Sequence, residues 1–283
     1  MEDVLVMYKL IGDSCTDVTE ELLKEANIHL VPLTIQIDED TIIDDSTLDQ
    51  KKLLQKMETS AQSPATACPA PEAYMSLYGG EEDVYVVTLS SKLSGSYNSA
   101  FVAKNMYLEE NEQKNIAVID SLSASVGQTL VLMKVKELAD QGLPFEKVVE
   151  EAEKYRDKMV TKFLLESLEN LRKAGRLSTV KAFIANTLNL KPIMCSNGHG
   201  EIEKFDQARG MKKALDLLIS SIEKDVTDAK DKILGIAHCN CPERAEHIRD
   251  QIKSRIPFKD ILIVNTAGIS TVYANAGGIV VCY

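Results

Sequence analysis

Up to about Tyr155 the chain alternates short β-branched runs with longer amphipathic ones, and this alternation restricts the possible folds more than any other feature. Residues 4–11 read as a strand, and 17–26 as a helix with Asp17 and Glu20 at capping-box spacing. Residues 29–37 form a second strand run, and Pro32 within it places it at an edge or bulge. A helix over 47–60 is opened by Thr47 and Gln50. Strand runs at 84–89 and 115–120 are followed by helical runs at 96–110 and 125–141, and Pro144 opens a further helix, where its missing N–H costs nothing. Such alternation predicts a mostly parallel sheet layered between helices.

The pattern changes in the second half. Residues 161–165 read as a strand, and a basic stretch covers 172–181. Runs at 191–195 and 201–205 flank Asn197-Gly198-His199-Gly200, a hairpin signal. A helix over 211–224 and strands at 233–237, 261–264 and 279–282 complete a mixed sheet. The last run, 276–283, is apolar enough to be a central strand. The expected fold class is therefore α/β in two domains. Residues 1–158 form a three-layer α/β/α unit with a mostly parallel sheet, and 159–283 form a smaller α/β unit with a mixed sheet.

Charge narrows the function. Lys and Arg total 32 against 43 Asp and Glu, a formal net charge of −11, which repels phosphate backbones. There is no Trp and aromatics are 5%, leaving few rings to stack on bases, so nucleic acid is not the expected partner. No basic-then-apolar leader and no run near the ~20 apolar residues of a membrane helix is found, which points to a cytoplasmic chain without stable membrane insertion. Six scattered cysteines read as reduced thiols in and near a core, and the Cys239-Asn240-Cys241 pair lacks the partner pair of a structural zinc site. No metal and no cofactor is expected.

In parallel sheets ligands sit beyond the carboxyl ends of the strands. Three such loops are rich in small hydroxyl residues: Asp13-Ser14-Cys15-Thr16-Asp17, Ser90-Ser91-Lys92-Leu93-Ser94-Gly95-Ser96 and Asp120-Ser121-Leu122-Ser123. Gathered at one edge, they would suit an anionic head group, and each residue also serves as an ordinary helix cap. Gly12-Asp13-Ser14 resembles the opening motif of one class of serine esterases, with Ser14 as nucleophile. That chemistry needs a base His held by an Asp, and none of His29, His199, His238 and His247 has an Asp three residues before it. No nucleotide-cradling glycine loop is present. Asp13, Asp17, Asp44 and Asp45 have the chemistry to bind a divalent ion, but surface carboxylates near caps explain them more simply.

The order of motifs is similar to that of DegV proteins over essentially the whole chain. Asp13-Ser14-Cys15-Thr16-Asp17 resembles the family's opening turn, and Val31-Pro32-Leu33-Thr34-Ile35 its Pro-Leu-Thr-Ile. Pro64-Ala65-Thr66-Ala67-Cys68-Pro69 matches a Pro-x-Thr-Ser-x-Pro loop, and Leu93-Ser94-Gly95-Ser96-Tyr97-Asn98-Ser99-Ala100 matches the most specific piece, Leu-Ser-Gly-Thr-Tyr-x-Ser-Ala. Ala174-Gly175-Arg176 resembles Gly-Gly-Arg, Lys191-Pro192-Ile193 the later Lys-Pro-Ile, and Arg209 an Arg before a helix. The resemblance implies a non-catalytic carrier with a long-chain fatty acid, such as palmitate, stearate or oleate, between two domains. It implies a carboxylate held by Thr66 and Ser94, a tail in an apolar tunnel mostly within the first domain, and delivery to a dihydroxyacetone-kinase-like fatty-acid kinase. Arg176, Asn265, Thr266 and Ser14 are the expected head-group neighbours, with Arg209 a further candidate. Three departures stand out: Thr66-Ala67 replaces Thr-Ser, Ala174 replaces a Gly, and Asn265-Thr266-Ala267-Gly268-Ile269 replaces His-Thr-Gly-Pro-Gly.

Overall fold

The computed structural model describes residues 8–177 and 189–283. Strands β1 (Tyr8–Asp13), β2 (Ile28–Val31), β6 (Asp83–Thr88) and β7 (Ile116–Asp120) form a four-stranded sheet in the order β2-β1-β6-β7, every pair parallel. The connection reverses direction between β1 and β6, which opens a crevice at their carboxyl ends. Helices α3 (Pro71–Met75) and α4 (Ser96–Glu110) cover one face around Val84, Val86, Tyr74 and Tyr78. Helices α1 (Glu20–Glu25), α5 (Val126–Asp140) and α6 (Phe145–Lys158) cover the other, around Leu10, Tyr85 and Ile119. This is the expected three-layer arrangement.

A six-stranded mixed sheet follows, in the order β10-β9-β8-β13-β11-β12, from β8 (Thr161–Leu164), β9 (Leu190–Ser196), β10 (Ile202–Arg209), β11 (Ile233–His238), β12 (Asp260–Asn265) and β13 (Ile279–Cys282). Helices α8 (Met211–Asp225) and α9 (Pro242–Lys253) bury their apolar stripes on one face, against Leu164, Ile193, Leu234 and Val281. On the other face lies α5. Val131, Leu132 and Val135 of α5 pack into the parallel-sheet core, while Val126 and Leu130 pack against Ala237, Val264 and Cys282. The first half of α5, Val126 to Leu132, is gripped by both sheets and wholly buried, while Lys134, Lys136, Glu137 and Asp140 give its second half a solvent face.

The sequence expectations fail in instructive places. The strand run 29–37 is two strands, because Pro32 and Leu33 break it: β2 belongs to the parallel sheet, while β3 (Thr34–Ile37) joins β4 (Asp40–Ile43) and β5 (Ala65–Ala67) in a small antiparallel sheet. The helix expected over 17–26 begins only at Glu20, capped by the Thr19 side chain, so Asp17 is not its cap. Likewise α2 (Gln50–Thr59) is capped by Asp49, and Thr47 bonds Asp45 instead. Short elements with too few residues to show a period were not foreseen, among them β4, β5 and α10 (Gly268–Ala274). Residues 4–7 of the first expected strand and 178–181 of the basic stretch lie outside the described residues.

The hairpin around Asn197-Gly198 forms as expected, with Ile202 opposite Ser196. The central position of the last strand is also found: β13 is antiparallel to β8 on one side and β11 on the other. A chain ending at Asn275 therefore splits this sheet in two. It is expected to show no cooperative thermal transition, and a melt like that of the full chain would show that β13 is dispensable.

Candidate functional site

A cavity of ≈ 330 Å³ lies where the carboxyl ends of β1 and β6 face the mixed sheet and α10. Its wall draws on residues 15–125 and 161–280 alike. Leu33, Leu89, Phe163, Leu165, Ile269 and Val280 make it mostly apolar. Into this wall come Thr66, Ser94 and Arg176, three of the residues singled out in the sequence.

Each is positioned by local structure. Thr66 sits in β5 opposite Ile35 of β3, and its Oγ1 lies 2.8 Å from the Tyr273 hydroxyl of α10. Ser94 lies in the turn after β6, whose N–H groups at Leu93 and Ser94 both donate to the Ser90 carbonyl. Its Oγ accepts the Ser96 N–H at 3.2 Å. The Ser96 hydroxyl bonds the Asp13 carboxylate, so in the 3.3 Å contact between the two serine hydroxyls Ser94 is the donor, a long hydrogen bond that a ligand carboxylate can replace. Gly175, at φ +76°, ends α7 (Glu169–Lys173) with a left-handed residue and turns Arg176 back toward the cavity. Two of the Arg176 donors go to the carbonyls of Leu93 (3.1 Å) and Ala174, which fixes the guanidinium beside the Ser94 loop.

Other candidates sit elsewhere. Ser14 is buried, and its Oγ accepts the Leu33 N–H at 3.0 Å and bonds Asp44. No histidine hydrogen-bonds it among the described residues, so the arrangement lacks the base an esterase nucleophile needs. Asn265 is exposed and pairs with the Gln50 amide at 2.9 Å. Thr266 is buried and shares a 2.8 Å hydrogen bond with Thr271. Arg209 is exposed at the end of β10. None of these four lines the cavity. No group of His, Cys, Asp and Glu suited to a metal ion occurs among the described residues.

Three of the four aspartates read as surface caps prove to be buried behind the cavity wall. Asp13, Asp17 and Asp44 are 0%, 0% and 3% exposed; Asp45 alone lies on the surface, in a turn with Thr47. Asp13 spans the crevice: its Oδ2 accepts the Leu89 N–H at 2.9 Å, and its Oδ1 accepts from Cys15 N and Gln128 Nε2, each at 3.1 Å. Asp17 and Asp44 reach across to α10. Asp17 Oδ1 accepts the Ala267 N–H at 2.7 Å, and the two Asp44 oxygens accept Gly268 N–H at 2.7 Å and Ile269 N–H at 2.9 Å. Carboxylates distant in sequence thus cap a helix whose own N-cap residue, Ala267, has no side chain to do so. Gly268 permits this approach: a Cβ there would meet Asp44 Oδ1 at 2.5 Å and Leu48 Cδ1 at 2.6 Å. The isolated sequence offered no signal for these roles, because the N–H partners lie more than 200 positions away.

Burial raises the pKa of all three carboxyls. Asp13 is pushed up to about 6 and Asp17 to about 7 from an ordinary 3.8, and Asp44 is also raised, their hydrogen bonds only partly opposing the effect. The folded chain therefore holds protons that the unfolded chain has released above its own pKa. Stability contributed by this difference is greatest below the unfolded value and is lost as pH rises toward the folded one. Unfolding free energy is expected to fall between about pH 4 and about pH 7. Asp17→Asn, which keeps an acceptor for Ala267 N–H but cannot titrate, should flatten that slope; an unchanged slope would assign it to other groups. Gly268→Ala is expected to cost about 1–3 kcal/mol by overpacking against Asp44 and Leu48, read from denaturant midpoints.

Comparisons with known proteins agree with this architecture. The DegV family model, described as that of an uncharacterised protein family, matches residues 7–283. A DegV domain-containing protein of Streptococcus pyogenes serotype M18 is 37% identical over 279 residues, covering 98% of this chain and 99% of the relative. A solved DegV family protein from Ruminococcus gnavus, refined with vaccenic acid, superposes with a TM-score of 0.94 at 48% identity, covering 98% of this chain and 99% of that one. The fatty acid kinase (Fak) B3 protein of Streptococcus pneumoniae, solved loaded with linoleic acid, gives a TM-score of 0.88 at 32% identity, with the same coverage of both chains. With its parallel and mixed sheets, and with a family match over nearly all of its length, the chain belongs to the DegV family.

Proposed function

We propose that this protein is a carrier that binds one long-chain fatty acid in the cavity between its parallel and mixed sheets, with the carboxylate at Thr66 and Ser94 and the acyl chain along the apolar wall. The observation that carries the reading is the make-up of that wall: mainly aliphatic and aromatic side chains enclose ≈ 330 Å³, interrupted among the described lining residues by hydroxyls, the thiols of Cys15 and Cys68, the Arg176 guanidinium and Glu201. Cavities of about 300–1,000 Å³ with few polar groups are typical of small-molecule sites. The fatty acids bound by the Ruminococcus gnavus and Streptococcus pneumoniae relatives support the ligand class.

Magnitudes assign the roles. A saturated C16 tail has ~14 methylenes, worth ~0.8 kcal/mol each, or about 11 kcal/mol gross. Lost freedom and head-group desolvation take back a large share. Each hydroxyl donated to a carboxylate returns roughly 1.5–3 kcal/mol. The tail thus sets the affinity and the hydroxyls set the orientation, with Arg176 adding attraction for the charge. The protein performs no chemistry on the acid in this reading. It presents the carboxylate to a dihydroxyacetone-kinase-like fatty-acid kinase, a role supported by the Fak B3 likeness. The division into domains at residue 158, with the site shared across it, belongs to the same proposal. No helix among the described residues is long and apolar enough to cross a membrane.

Native mass spectrometry of freshly purified protein tests the binding. The expected result is a bound mass matching a C14–C18 acid, with the bound fraction reduced about tenfold in Ser94→Ala. A protein that stays free of ligand after incubation with oleate and palmitate would contradict the reading.

A further inference from the structure

The loop that brings Thr66 to the cavity has Ala67 where the family motif has a second hydroxyl residue. A replacement hydroxyl arrives from the other end of the chain. The Tyr273 phenol lies 2.8 Å from Thr66 Oγ1, and both residues line the cavity. The two hydroxyls carry two protons, and their mutual hydrogen bond uses one. No other hydrogen bond of either hydroxyl occurs among the described residues. Whichever way the pair is oriented, one O–H remains to donate. Polarisation along the pair strengthens that donor, since each hydrogen bond in a chain reinforces the next.

Tyr273 is also held in place from both sides. Asp17 and Asp44 fix the N-terminal end of α10 through Ala267, Gly268 and Ile269. The Asn170 amide donates to the Val272 carbonyl at 2.7 Å, one residue before Tyr273. A phenol anchored in this way costs little to order when a ligand arrives.

We infer that Tyr273 is a head-group residue of this protein, its phenol and the Thr66 hydroxyl acting as one donor unit toward a carboxylate and replacing the hydroxyl absent at Ala67. This rests on the fatty-acid reading above and adds a contact which that reading does not require.

Tyr273→Phe removes the hydroxyl alone and leaves the ring. Affinities for oleate and for methyl oleate, which has the same tail and no carboxylate, separate a head-group role from packing. The expected result is an oleate affinity about tenfold lower in Tyr273→Phe, with methyl oleate changed by less than about twofold. The loss in the double variant with Thr66→Val should be smaller than the sum of the losses in the two single variants, because the two side chains act as a unit. An unchanged oleate affinity in Tyr273→Phe, with Ser94→Ala weakened, would overturn the inference and leave the carrier reading standing. Equal losses for acid and ester would reduce Tyr273 to a packing residue and overturn it as well. Wild-type protein that takes neither ligand would overturn the inference and the carrier reading together.

Discussion

Two carboxylates near the start of the chain, Asp17 and Asp44, receive three main-chain N–H groups near its end, at Ala267, Gly268 and Ile269. The seven residues of α10 are too few to hold a helix by their own hydrogen bonds, so its position depends on these contacts and on packing. Because α10 supplies Ile269, Ser270 and Tyr273 to the cavity wall, the shape of the site depends on the same clamp. Burying two carboxyls opposes folding, as their raised pKa values record, and the charge-assisted hydrogen bonds offset much of that cost. Clamp and cavity are thus two aspects of one arrangement.

The larger architecture puts the clamp where a ligand can use it. The order in which the parallel strands are connected reverses between β1 and β6, and Asp13 bridges the resulting crevice to Leu89 and Gln128. Helix α5, packed on both sheets at once, sets the separation of the two halves. The Ser90 hydroxyl donates to the Gly200 carbonyl at 2.7 Å and ties the Ser94 loop to the β9–β10 hairpin. A cavity built in this way has a mostly apolar wall with polar groups at a few points. That is the combination needed to bury a long apolar tail while keeping a charged end solvated by protein donors.

Local pattern made much of this legible. The apolar runs that became β6, β7 and β13 and the amphipathic run that became α8 carry their periods in the sequence, and Asn197-Gly198 announces its hairpin. Ser94 and Thr66 stood out through motif order, and both reach the cavity wall. What stayed hidden depends on distant partners. Asp13, Asp17 and Asp44 look like any solvated aspartate until the N–H groups of Leu89, Ala267 and Gly268 are brought to them. Tyr273 gave no local sign of its role, because its partner is 207 positions away. Pro32 was read as marking an edge or bulge rather than a break between two strands, and short strands such as β5 have no period to read, so the small sheet that carries Thr66 was missed.

The most direct test of the account is a crystal structure of the protein prepared with oleate. The account predicts continuous density for the acid in the cavity, its carboxylate within hydrogen-bond reach of Ser94 and Thr66 and its tail against Phe163 and Val280. A carboxylate bound anywhere else, or a cavity that stays empty at saturating oleate, would contradict it.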